Sequence, residues 1–145
     1  MSAILTATQV ALVARLDADA PLSAALGAAP GTPKVFYGEA RRGTVPPYVV
    51  FDGATLGRSE RHDTFDAPAH DGTETFHVIS PDRQLLQGKQ IFALVAAALH
   101  VTPLPLPGHA QFEAVVEYLT DYLDPTEPIA HHVGRLRQTA IEAAA

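Results

Sequence analysis

Cysteine is absent from the 145 residues. Its absence excludes disulfides, thiolate nucleophiles and Cys-based zinc sites, and fits a reducing compartment. No apolar run approaches the ~20 residues that a membrane-spanning helix needs, so no membrane partner is expected. The first basic residue is Arg15, so the N-terminal stretch lacks the basic-then-apolar layout of a secretory signal. Basic residues are few: ten Lys and Arg stand against sixteen Asp and Glu, a net charge of −6. Gripping nucleic acid needs clustered cations, so specific DNA or RNA binding is not expected. A surface past which DNA merely slides remains compatible. There is no G-x-S-x-G nucleophile turn, and Gly53 and Gly57 are not followed by the Lys-Ser/Thr of a phosphate loop.

What is present is a globular composition, 47% hydrophobic and 18% charged. The length is that of one domain able to bury a core, and residues 1–145 are read as one unit with a flexible loop at about 58–71. The organising stretch is Asp71 to His100. Asp71-Gly72 is a turn signal, and the β-branched and aromatic run Thr73 to Ile79 predicts a strand. Ser80 is then expected to cap a helix, with Pro81 at its first position. Leu85, Ile91, Phe92, Val95 and Leu99 form an apolar stripe at helical spacing. The opposite side carries Lys89, Gln90, Ala93, Ala96, Ala97 and His100, poor in charge for a solvated face. That face is expected to touch another chain; the bland alternative is that alanine simply favours helices.

Before this stretch, Thr6-Ala7-Thr8-Gln9 matches a capping box flanked by Leu5 and Val10, opening a first helix that ends near Asp19-Ala20-Pro21. Pro21 to Leu26 can add a turn closed by Gly27. Lys34 to Tyr37 is a candidate edge strand, and Glu39 to Val45 an exposed loop. Tyr48 to Phe51 is apolar on both faces, so cover on both is expected, with continuation to Arg58 through bends at Gly53 and Gly57. Residues 59–70 have little apolar content apart from Phe65 and predict a long exposed loop. After the helix, Pro103, Pro105 and Pro107 impose an extended link to Gly108. Gln111 to Leu123 alternates, a turn at 124–128 comes next, and Ile129 to Ile141 can return as an antiparallel partner. The expected fold is α+β, a mostly antiparallel sheet of four or five strands flanked by helices.

Candidate chemistry is sparse. His62, Asp63, Asp66, His70 and Asp71 lie close in sequence and are metal-ligand types, but their spacing fits no metal motif. A small metal-dependent enzyme or ligand-binding protein built on that loop is the competing reading; Asp and His also suit turns and solvent. His131 and His132, adjacent on a strand, point to opposite faces and cannot meet one ion without help from elsewhere. Glu113 and Glu117 share a face and are expected to complement Arg135 and Arg137 across the hairpin. No cofactor and no catalytic residue is assigned.

The order of elements resembles the tail-completion, or tail-terminator, family of tailed bacteriophages and phage-derived particles. The resemblance rests on the N-terminal helix ending Asp-Ala-Asp-Ala-Pro-Leu, then Val45-Pro46-Pro47-Tyr48-Val49-Val50, a long polar loop, and Thr75-Phe76-His77-Val78-Ile79-Ser80. The helix ending Ala96-Ala97-Ala98-Leu99-His100 and the closing hairpin with His132-Val133-Gly134-Arg135-Leu136-Arg137 complete it. Ile79 departs from the tryptophan common in the family, which implies altered packing and an unchanged role. The resemblance implies a structural, non-enzymatic virion protein: a ring, usually hexameric, that stops the tail tube and joins it to the head-side connector or stopper. Its implied partners are copies of itself, the tail tube protein and that connector, with DNA crossing the lumen unheld. Its implied location is the virion tail, or a gene-transfer or injection particle, with host cytoplasm during assembly. Combined with the loop and the alanine face, it implies subunit or tail-ring contacts at Arg58, Arg61, Asp63, Phe65, Asp66, Ala93 and Ala97.

Overall fold

The computed structural model describes residues 2–59, 68–100 and 102–142. Helices α1 (Ser2–Asp17) and α2 (Ala20–Leu26) precede strands β1 (Val35–Tyr37), β2 (Tyr48–Arg58) and β3 (Ala69–Pro81). Helix α3 (Leu85–Leu99) comes next, then β4 (Pro105–Leu106), β5 (His109–Leu123) and β6 (Ile129–Glu142). The six strands form one sheet in the order β1-β2-β3-β6-β5-β4. All neighbouring pairs are antiparallel except β1 with β2. The expected four or five strands thus become six in a mixed sheet: the proline-rich link contributes the short edge strand β4, and β1 enters parallel. α1 packs against both β1 and β4, the two edges, which requires the sheet to curl around it.

Where local chemistry and tertiary pairing compete, pairing wins. Asp71-Gly72 is no turn: both residues lie inside β3, opposite Gly57 and Leu56 on one side and Thr139 and Gln138 on the other. Asp71 Oδ1 accepts a hydrogen bond from Thr139 Oγ1 at 2.6 Å, so the turn-former satisfies its carboxylate across the sheet. The expected 59–70 loop gives way to strand pairing at its two described ends. Ser59 is fully buried, its N–H bonds the carbonyl of Ala69, and Arg58 pairs with His70. Ser80 does not cap α3; the strand runs on to Pro81 and the helix begins at Leu85, with Gln84 at the cap position making no side-chain cap bond. Buried Ser80 instead shares a 3.1 Å hydrogen bond with His132 Nε2. The Thr6–Gln9 box is also overridden, because α1 already starts at Ser2 and Thr8 is buried within it. At α2 the local signals hold: Asp19 accepts from the Leu22 N–H at 2.9 Å, and Gly27 closes the helix in a left-handed conformation.

Among the described residues, the helices pack against one face of the sheet. Val49 and Phe51 of β2 are buried beneath them, whereas Tyr48 and Val50 on the other face are half-buried. Among the described residues, the expected cover on both faces of β2 is therefore complete on one face only. The helix-side core joins Leu12, Leu16, Leu22, Leu26, Ile91, Val95 and Leu99 to the β2 and β3 side chains. Leu85, counted in the expected buried stripe, is 43% exposed. A row of rings crosses the core: Tyr37, Phe51, Phe76, Phe92 and Tyr118, with successive centroids 6.1, 5.4, 5.3 and 4.9 Å apart.

Two glycines let α3 sit this close to the sheet. A Cβ on Gly88 would collide with the His132 ring, and one on Gly134 would lie 2.6 Å from Phe92 Cζ and 2.7 Å from Phe76 Cζ.

The β5–β6 hairpin forms as the alternation predicts, but with register shifts between Gln111 and Glu113 and between Tyr118 and Thr120. The second shift inverts the facing of the residues beyond it. Tyr118 stays on the helix side opposite Gly134, while Tyr122 moves to the uncovered face opposite His131.

Candidate functional site

The uncovered face is built from odd-numbered residues of β3 and β6, with their register neighbours on β2 and β5. At its centre Glu117 receives two arginines: Arg135 Nη2 at 2.8 Å and Arg137 Nη2 at 2.7 Å. The Arg135 hydrogen bond, with Arg137 adding to it, holds the Glu117 carboxyl below the usual carboxylate range. This is the expected cross-hairpin pairing. The Glu113 side chain lies outside the described set.

Towards the hairpin end, four titratable side chains form a continuous chain. Asp52 Oδ2 lies 2.8 Å from His77 Nε2, His77 Nδ1 lies 3.0 Å from His131 Nδ1, and His131 Nε2 lies 2.9 Å from Asp124 Oδ2. The β2 register shift lies between Phe51 and Gly53, at Asp52. The His131 ring is stacked by Tyr122, centroid 4.6 Å and interplanar angle 9°. Asp124 Oδ1 also accepts from Thr126 N–H, Thr126 Oγ1 and Glu127 N–H, at 2.8, 2.9 and 3.0 Å. These bonds, the Thr126 N–H first and His131 next, hold its carboxyl far below the usual range.

The expectation for His131 and His132 is met in that they face opposite sides; the partner for His131 comes from His77 on β3. Neither His77, Asp52 nor Asp124 carries a sequence motif. Their only signal is the strand register, which places them together after pairing.

On the helix side, buried Glu74 accepts a 2.7 Å hydrogen bond from the Tyr37 hydroxyl. Burial pushes its carboxyl up to about 7, with the Tyr37 bond opposing. Burial also raises the Tyr37 hydroxyl, helped by Glu74. His132, fully buried under Gly88, is made less basic by burial, with Asp121 opposing and Lys89 and His131 adding to the effect.

Arg58 ends β2 on the surface. Arg61, Asp63, Phe65 and Asp66, with His62, lie outside the described residues. Of the candidate metal set only His70 and Asp71 are described, both within β3. Among the described residues no cluster of three or more His, Asp or Glu could hold a metal ion. None of the described helices is long and apolar enough to cross a membrane. Ala93 and Ala97 are exposed on α3, away from its buried Ile91, Phe92, Val95 and Leu99.

Two apolar areas are also open. One is the hairpin end with the start of α3, where Leu119 is 46%, Leu123 59% and Leu86 70% exposed. The other is an open groove of about 820 Å³ along α1 and β4, lined by Ala7, Val10, Ala14, Pro105 and Pro107. Exposed apolar areas of this kind mark contact surfaces more often than catalytic ones.

No curated protein matches the sequence. Among solved structures, one chain described as part of the "Virion of native gene transfer agent (GTA) particle" superposes with a TM-score of 0.80 at 17% identity. That match covers 99% of this chain and 100% of the other. A second solved chain matches with a TM-score of 0.56 and 15% identity, over 97% of each. At such identities these likenesses establish the fold. The family model does more: fold and family together place the chain among the structural proteins of phage tails. The model described as "Tail completion protein gp17" matches residues 10–141, and the chain belongs to that family.

Proposed function

We propose that this chain assembles into a ring, a hexamer, that ends the tail tube of a phage or phage-like particle and joins it to the head-side connector. The family match over residues 10–141 carries the reading. The same-length likeness to a chain of a gene transfer agent virion supports a place in the virion, after assembly in the host cytoplasm. An acidic chain, net −6, suits a lumen through which DNA passes without being held. The alanine side of α3 at Ala93 and Ala97 packs against the next subunit, and the segment from Arg58 through Arg61, Asp63, Phe65 and Asp66 reaches a neighbouring subunit or tail ring.

The test is electron microscopy and sedimentation of the purified protein, alone and with tail tubes. A collar on the tube end is expected, and Ala97→Glu should remove it while leaving the far-UV spectrum and the melting temperature unchanged. Tails that end at the correct length in particles lacking this protein would refute the reading. A metal-bearing monomer that turns over a substrate would favour the competing enzyme reading instead.

A further inference from the structure

The Asp52–His77–His131–Asp124 chain poses a counting problem. It contains three close contacts, carboxylate to Nε2, Nδ1 to Nδ1, and Nε2 to carboxylate, at 2.8, 3.0 and 2.9 Å. Each contact needs one bridging proton, because two lone pairs at such distances repel. Two ionised carboxylates and two neutral imidazoles hold only two protons. If both Nε2 atoms donate outward to the aspartates, two bare Nδ1 lone pairs face each other. If either ring flips its tautomer, a bare Nε2 faces a carboxylate instead. Three protons satisfy every contact, and a fourth would place two N–H groups head to head. The geometry points to a proton-binding site: the folded protein holds one extra proton, shared across the His77–His131 contact, which ties β2, β3 and β6 to the hairpin turn.

The surroundings suit one positive charge and exclude a second. Asp52 and Tyr48 face the pair from β2, Tyr122 from β5, Asp124 and Glu127 from the turn, and Arg135 lies along β6 with its charge met by Glu117. Burial and the neighbouring His131 lower the basicity of His77, with Asp52 opposing, and this keeps a second proton away. A metal ion is the poorer occupant, since both Nε2 atoms are already engaged by carboxylates and, among the described residues, no group of three or more His, Asp or Glu is placed to hold one.

The site works as a clasp. Because three protons are needed to satisfy its three contacts, the clasp holds while the shared proton is bound and is lost as pH rises through the value at which that proton leaves. On losing the proton the rings must part, and His131 leaves the stack with Tyr122 and the bond to Asp124. The exposed hairpin end carrying Tyr122 and Leu123 then loosens. One released proton makes local opening rise about tenfold per pH unit above that value.

The wild-type protein, ¹⁵N-labelled at histidine, tests this directly by long-range ¹H–¹⁵N NMR from acid to alkaline pH. One bridging Nδ1 proton, two protonated Nε2 atoms and joint loss of the bridge in a single step are expected. Hydrogen exchange at the amides of residues 129–133, corrected for intrinsic rates, should accelerate with the same midpoint. In His77→Gln that acceleration should vanish, because a lone His131 needs no extra proton; if the variant fails to fold, the wild-type titration decides. Two unprotonated Nδ1 atoms throughout, independent titration of the rings, or zinc displacing the bridge at micromolar concentration would each overturn the proposal.

Discussion

Glu74 offers the sharpest test of how the core is held. Its carboxyl sits in β3 beneath the helices, 1% exposed, with the Tyr37 hydroxyl as its hydrogen-bond donor. Burial raises it from the ordinary 4.5 to about 7. A folded-state value above the unfolded one means that the stability is complete below 4.5 and is lost as pH climbs through about 7. The gap of about 2.5 units, at ~1.36 kcal/mol per unit, amounts to about 3 kcal/mol once the group is ionised. Glu74→Gln keeps an oxygen for the Tyr37 hydroxyl and removes the ionisation. The amide's own N–H groups add a cost that does not vary with pH, so the informative quantity is a difference between two pH values. Urea unfolding should show the variant gaining about 2–3 kcal/mol on the wild type between about pH 5 and pH 8. A difference between the two proteins that stays flat across that range would refute the assignment of a buried, proton-favouring carboxyl.

Three further outcomes are expected. Gly88→Ala drives a methyl into the His132 ring and should cost about 1–3 kcal/mol, read as a lower urea midpoint; an unchanged midpoint would show that the ring has room to move. Asp124→Ala removes the acceptor for the Thr126 and Glu127 amides and for His131. Because the Asp124 carboxyl is depressed, its contribution is present above 3.8 and fades as pH falls below it, so variant and wild type should converge in acid. Shortening the chain across residues 61–67 should abolish assembly while the monomer keeps its circular dichroism, and normal rings from that variant would remove the loop from the interface.

Much of the architecture was legible in the sequence because it obeys local periodicity. The buried side of α3, the β5–β6 hairpin, the α2 turn closed by Gly27 and the edge strand at Val35 all come from patterns within a few residues. The errors share one cause. At Asp71-Gly72, Ser80-Pro81 and Thr6–Gln9, strong local signals for turns and caps gave way to longer elements. Every residue from Ala69 to Pro81 has a register partner on β6, and the ladder's backbone hydrogen bonds at alternate positions are what a turn would forfeit. Propensities differ by a few tenths of a kcal/mol, and several ladder bonds with buried side chains outweigh them.

The site divides the same way. Composition alone established an acidic, cysteine-free, globular chain, and the order of its elements pointed to the tail-completion family. Adjacent histidines on a strand, and the glutamate–arginine pairing across the hairpin, could be read from alternation. That His77 meets His131 could not, for 54 positions separate them and only the β3–β6 register brings them together. Nor could the facing of Tyr122, since one shift near Leu119 turns every later side chain of β5 over. Periodicity is a property of neighbours along the chain and survives in the sequence; register and bulges are settled between strands, where packing chooses among pairings that local chemistry leaves equal.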